Sequence, residues 1–169
     1  PVQFPVATGE GFNSVIDLIT MKMLVFKNGN GAPEIQEIPA NLADKAEELH
    51  NELIEHAAEG DDALMEKFFE EGTLSEEDME KGLHLGIINR DMYPVLCGAA
   101  KSGAGVTRLL EFLINACPSP AHVHPTKAAN GTEFHSSVEE APAMFFFKIS
   151  NEQNVGDVAM ARIYGGTIA

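Results

Sequence analysis

Positive charge is scarce in this chain. Its 169 residues carry 11 Lys and Arg against 26 Asp and Glu, a formal net charge of −15. A protein that grips nucleic acid on its own neutralises phosphates with a basic face. The balance here therefore argues against a free-standing DNA or RNA binder and for a basic protein partner. Cysteine is scarce as well. Cys97 and Cys117 are too few for a disulfide framework, and they read as reduced thiols packed as small hydrophobes in a cytoplasmic protein. No apolar run reaches membrane-spanning length and no stretch has the form of a signal peptide, so no membrane partner is expected. Neither C-x-x-C nor H-E-x-x-H spacing occurs. Pro1 opens the chain, without Met, on what reads as a strand; the expectation is a piece of a longer protein or a processed product.

What is present suffices for a core, since 44% of the residues are hydrophobic. Residues 1–6 (PVQFPV) and 15–26 (VIDLITMKMLVF) read as strands, with a stretch from Gly9 to Gly11 between them. Residues 28–33 (NGNGAP) read as a turn, across which a short strand from Glu34 to Ile38 pairs back. Leu42, Ala46, Leu49, Leu53 and Ala57 then recur at three- and four-residue steps, a helical stripe with Asn41 as N-cap and Gly60 as its stop. Leu64, Met65, Phe68 and Phe69 mark a second helix after Asp61 and Asp62. A third starts at Ser75, where Ser75 and Asp78 resemble a capping box and Leu74 and Met79 a hydrophobic staple, and it ends near Gly86.

Residues 92–97 (MYPVLC) read as a buried strand leading into the loop Gly98 to Gly105. Leu109, Leu110, Leu113 and Ile114 mark a helix closed by Pro118 and Pro120. Residues 118–142 have linker composition, and strands over 143–150 and 157–164 flank a turn at Gly156. A lone two-stranded hairpin is marginal in water. This one reads as the opening of a larger β-domain, with Phe145, Phe146 and Phe147 burying against another copy or against the rest of the chain.

Three features carry chemistry. Between Asp44 and Glu80 stand fifteen acids, opposed only by Lys45 and Lys67. Charged helix faces are commonly just solvated, but like charges four residues apart, as at Glu48 and Glu52 or Glu55 and Glu59, cost helix stability. An acidic face offers a dock for a basic domain, with electrostatic steering. Second, His122, His124 and His135 could be grouped as metal ligands, yet they fall in the linker without ligand spacing and read as exposed loop histidines. No metal site and no catalytic residue is assigned. Third, a small-residue loop follows the 92–97 strand at its C-terminal end, where ligands bind in open α/β sheets and small side chains let backbone amides come close.

That third stretch, PVLCGAAKSGAGVTRLLEFLINACPSP, resembles the segment of bacterial translation elongation factor G that holds its last guanine-nucleotide motif. Upstream, PVQFPV and GFNSVIDLITMKMLVF are similar to the family's P-V-Q-x-P-I and V-I-D-L patterns, and DDALMEKFFEEGTLSEEDMEKGLHLGII resembles its D-D-x-L-M-E-K helix. The tail APAMFFFKISNEQNVGDVAMARIYGGTI is like the opening of its second domain, so the likeness is collinear over nearly the whole chain.

The resemblance implies an α+β chain in several parts. Residues 1–90 would be the insert subdomain of the GTPase domain, a small sheet with three helices. Residues 91–117 would be the last strand and helix of that P-loop fold, 118–141 a linker, and 142–169 an incomplete hairpin of the second, β-barrel domain. It implies a cytoplasmic parent that binds GTP, GDP and Mg²⁺ and acts on the ribosome in translation elongation, touching ribosomal RNA through other regions. It assigns Gly98, Ala99, Ala100 and Lys101 to the guanine-side loop, with Ala99 where the family has Ser and Lys101 where it often has Phe. It assigns the helix bearing Glu48, Glu52, Glu55 and Glu59 to docking the C-terminal domain of the ribosomal stalk protein. The chain holds no G-x-x-x-x-G-K-[ST], D-x-x-G or N-K-x-D motif, so by itself it is expected not to be a GTPase. The competing expectation is a self-contained acidic interaction module with no GTPase parent.

Overall fold

The computed structural model describes residues 1–27, 31–122 and 124–168. The chain divides into two compact units, Pro1–Cys117 and Pro118–Ala169. Its class is α+β: four helices with small antiparallel sheets, and no closed barrel among the described residues.

In the first unit β1 (Gln3–Pro5), β2 (Ser14–Asp17), β3 (Lys22–Val25) and β4 (Glu34–Gln36) form one antiparallel sheet in that order. The single strand expected over residues 15–26 is thus a hairpin, with Val15 opposite Leu24. Asp17 makes the turn. Its Oδ1 accepts from the amides of Ile19 and Thr20, at 3.2 and 3.1 Å, and from the Thr20 hydroxyl at 3.2 Å, a side-chain substitute for a backbone turn. Met21 completes the reversal at φ 51°. Of the turn expected over residues 28–33, residues 28–30 lie outside the described residues.

Every residue of β2 is buried, because the sheet is covered on both faces. Alternation sends Ile16 toward the helices and Val15 the other way, where it packs with Leu24, Phe26 and Ala104.

Helix α1 (Ala40–Ala58) buries Ala46, Leu53, Ile54, Ala57 and Ala58 on one stripe. Its N-cap is Pro39 rather than Asn41, with the Leu42 amide donating to the Pro39 carbonyl at 2.8 Å. Asp61 caps α2 (Asp62–Glu71) by accepting from the Ala63 amide at 2.9 Å. Ser75 caps α3 (Glu76–Asn89): its Oγ accepts from the Asp78 amide at 3.2 Å while its hydroxyl donates to the Asp78 carboxylate at 2.6 Å. Leu74 and Met79 are both buried in the core beside this cap.

Helix α3 runs past Gly86, where it was expected to stop, and ends at Arg90 with φ 66°. Its glycines serve packing instead. A Cβ on Gly82 would lie 2.2 Å from the Ala57 carbonyl oxygen, so α1 and α3 approach backbone to backbone only because that position has no side chain.

Helix α4 (Val106–Ala116) inverts the usual arrangement. It buries Arg108, Phe112 and Ala116, while Leu109, Leu110, Leu113 and Ile114, the residues that reveal it in the sequence, point outward, Ile114 being 81% exposed.

Residues 92–97 do not form the expected buried strand. They run extended beside β1, joined by one backbone bond from the Val2 amide to the Val95 carbonyl at 3.0 Å. A continuous apolar run becomes a central strand when neighbours flank it on both edges; among the described residues only β1 lies beside this one.

The second unit also departs from expectation. The linker region holds a short hairpin, β5 (Thr126–Lys127) with β6 (Glu133–Phe134), turned through Asn130 and Gly131 at φ 86°. Strands β7 (Ala143–Glu152) and β8 (Gly156–Gly165) pair along their length, with register shifts at Phe147 of β7 and Tyr164 of β8. Phe145, Phe146 and Phe147 are more than half exposed in the single chain. Among the described residues no helix is long and apolar enough to cross a membrane.

Candidate functional site

The small-residue loop is closed by its own backbone. The Ala99 amide donates to the Ala104 carbonyl at 2.8 Å, and the Val106 amide to the Gly103 carbonyl at 3.2 Å. Ser102 binds the Ala99 carbonyl twice, through its amide at 3.1 Å and its hydroxyl at 3.2 Å, so a hydroxyl three residues onward braces Ala99. At the loop's neck Gly105 has φ 82°, and a Cβ there would stand 2.5 Å from the Cys97 carbonyl oxygen. Gly98, Ala100 and Lys101 are exposed and Ala99 half-buried. Around them Pro94, Leu96, Cys97, Val106 and Leu109 line a concavity of about 390 Å³.

The loop's base is anchored to the sheet by a network that sequence reasoning missed. Asp17, wholly buried, receives Arg108 in a fork: Nε donates to Oδ2 at 2.7 Å and Nη2 to Oδ1 at 3.3 Å. Gln3 Nε2 donates to Asp17 Oδ2 at 3.0 Å, and Gln3 Oε1 accepts from the Cys97 amide at 3.4 Å. One carboxylate therefore joins β1, the β2–β3 turn, α4 and the start of the loop. Burial pushes the Asp17 carboxyl up, but the Arg108 hydrogen bonds and charge outweigh it and hold the group below its ordinary value. Burial likewise opposes the Arg108 charge, and Asp17 more than restores it. The available signal was a lone Arg among the apolar residues of a helix, which calls for a buried partner. Burial also pushes the Cys97 thiol up, away from the thiolate form.

The acidic residues are brought together on α1. Glu48, Glu52, Glu55 and Glu59 are all exposed and follow one another at three- and four-residue steps along a single helix face. The cations of the acidic block are engaged elsewhere. Lys45 sits over the Phe4 ring, 4.6 Å from its centre, and Lys67 pairs with Asp78. Among the described residues Glu48, Glu52 and Glu55 have no ion-pair partner, while His56 stands 3.4 Å from Glu59. On the core side of the same helix, His50 Nδ1 donates to the Leu18 carbonyl at 2.6 Å, tying α1 to the turn that Asp17 caps.

Among the described residues no three His, Cys, Asp or Glu side chains converge to hold a metal ion; His122, His124 and His135 are not gathered into a site.

No family model matches the chain. Among solved structures it is similar to a protein of Thermus thermophilus known from a crystal structure, with a TM-score of 0.73 and 26% sequence identity over 98% of this chain and 23% of that one. The chain thus spans less than a quarter of the length of the protein it matches.

Proposed function

We propose that this chain is a non-catalytic region of a translational GTPase of the elongation factor G kind, and that its acidic α1 face docks a basic protein domain, in that setting the C-terminal domain of the ribosomal stalk protein. The observation that carries the reading is the face itself: four exposed glutamates in one row, three without an ion-pair partner among the described residues. Row repulsion lowers helix stability, so a stability argument alone disfavours it, whereas a positive partner relieves the repulsion and is steered to it.

The collinear sequence resemblance and the likeness to a chain more than four times as long support a larger parent. So does α4, whose outward face of Leu109, Leu110, Leu113 and Ile114 suits further packing. In this reading residues 1–90 are an insert subdomain and residues 91–117 the end of a GTPase domain. Gly98 to Lys101 offer small, close-approach backbone to the edge of a guanine base. GTP, GDP and Mg²⁺ would depend on phosphate-binding segments outside this chain, which has no phosphate-cradling motif. Calorimetric titration of the chain with GDP and separately with the stalk domain tests both halves. The reading expects no heat with nucleotide and saturable heat with the stalk domain. Micromolar nucleotide binding, or no response to the stalk domain at low salt, contradicts it.

A further inference from the structure

Two planar groups stand in series between α1 and the small-residue loop. The first is the peptide that joins Leu18 to Ile19. Its carbonyl accepts from His50 Nδ1 at 2.6 Å, and its N–H donates to Asp17 Oδ1 at 3.2 Å. The second is the Gln3 carboxamide. Its Nε2 donates to Asp17 Oδ2 at 3.0 Å, and its Oε1 accepts from the Cys97 amide at 3.4 Å. Conjugation keeps both groups flat, so neither can turn at one edge without turning at the other. Their orientation is fixed by chemistry as well. An ionised carboxylate only accepts, so Gln3 gives its amino group to Asp17 and its oxygen to the Cys97 N–H.

Between the two planes Asp17 is oversubscribed. Its Oδ1 is offered the Ile19 amide, the Thr20 amide, the Thr20 hydroxyl and Arg108 Nη2, while a carboxylate oxygen has two lone pairs. The turn and α4 therefore compete for one atom. The Nη2 bond, at 3.3 Å against 2.7 Å for Nε, is the longer prong of the Arg108 fork. Rotating the Leu18–Ile19 peptide shifts this competition, re-aims the carboxylate and moves the acceptor that holds Gln3. The last link, at 3.4 Å, is at the long edge of hydrogen bonding and gives way first. It ends on Cys97, two residues before the Ala99 amide that closes the loop on Ala104. We infer that this relay makes closure of the small-residue loop depend on the position of α1. A displacement of the helix that carries Glu48, Glu52 and Glu55 is then felt at Cys97 and Ala99. The coupling goes beyond the docking role of α1 and does not require it, since it is a property of the single chain.

The test is amide hydrogen exchange by nuclear magnetic resonance on the chain alone. Four variants are compared with the parent: His50→Ala, Gln3→Met, both together, and His84→Ala. The last removes a tie of the same kind outside the relay, from His84 Nδ1 to the Ala116 carbonyl at 3.1 Å. Rates are taken relative to the amide of Leu83, a core residue of α3, so that a change in global stability is not read as coupling. His50→Ala is expected to speed exchange at Ile19, Cys97 and Ala99 by about three- to tenfold, the scale of one hydrogen bond. In the Gln3→Met background the same substitution is expected to act on Ile19 but no longer on Cys97 and Ala99. A response that stops at Ile19 overturns the inference. So does an effect on Cys97 and Ala99 that persists without Gln3, or an equal effect from His84→Ala. If His50→Ala does not fold, the relay is read from its other end. Coupling is reciprocal, so Gln3→Met alone is expected to speed the Ile19 amide, and an unchanged Ile19 rate overturns the relay. None of these results bears on whether the stalk domain binds, so the docking face is judged separately by its own titration.

Discussion

Asp17 and Arg108 lie 91 positions apart in the chain and meet in a two-pronged ion pair, with the carboxylate wholly buried and the guanidinium nearly so. The pair locks the β2–β3 turn to α4, and Gln3 extends it to the amide of Cys97 at the head of the small-residue loop. Removing one partner strands a buried charge, so Arg108→Met is expected to cost about 3–5 kcal/mol, read from urea unfolding at neutral pH. The pH dependence follows from the sign of the Asp17 shift. A carboxyl held below its ordinary value of 3.8 stabilises the fold above that pH, and its contribution is lost as the pH falls below it. Without Arg108, burial alone pushes the Asp17 carboxyl up, so the stability gap between parent and Arg108→Met is expected to be widest at neutral pH and to shrink as the pH falls, beginning above 3.8. A gap that is constant with pH would mean that the pair is not ionic.

The contact between α1 and α3 depends on a missing side chain. Because a Cβ on Gly82 would fall 2.2 Å from a backbone oxygen of Ala57, the helices must separate to admit it. Gly82→Ala is expected to destabilise the first unit by about 1–3 kcal/mol, the usual scale of overpacking, despite alanine's better helix propensity. Thermal melts check this; a neutral or stabilising result would contradict the close approach.

At the loop, Gly105→Ala adds a left-handed penalty of about 1–2 kcal/mol to a contact with the Cys97 carbonyl. The expected signature is local. The amides of Ala99 and Val106, which close the loop, should exchange hydrogen faster, while core amides of α1 change little. Uniform change across the chain would mean that the loop is not a separate closed turn.

The row of glutamates predicts a trade between stability and binding. Replacing Glu52 and Glu55 by glutamine removes like-charge neighbours on α1 and is expected to raise the melting temperature by about 1–3 °C at low salt. The gain should vanish near about 1 M salt, where exposed charges no longer sense each other. A melting temperature that falls would show that these glutamates stabilise the helix by some contact of their own.

Much of the architecture was readable from local chemistry. The stripe of Ala46, Leu53 and Ala57 fixes α1, and the Ser75–Asp78 cap fixes the start of α3, because both signals act within one or two turns of chain. The departures have physical causes too. The apolar run 15–26 concealed a turn whose signal was polar, Asp17 answered by Thr20. The Asn130–Gly131 turn was hidden by a composition that resembles a linker. Gly86 resembled a helix stop because packing and termination both use glycine, and only the neighbour, Met92, tells them apart. For α4 the sequence pattern located the helix but not its buried face, since apolar periodicity reports a stripe and not what covers it. The glutamate row of the candidate site is visible as spacing alone. The anchoring of the loop through Gln3, Asp17 and Arg108 is not, because it joins residues from three distant segments.

The most direct measurement is the affinity of the chain for a labelled stalk C-terminal domain at low and at moderate salt, for the parent and for a variant with Glu48, Glu52 and Glu55 reversed to lysine. Docking through α1 predicts saturable binding that weakens as salt rises and disappears in the reversed variant while its fold persists. Equal affinity in the reversed variant, or affinity independent of salt, would contradict it.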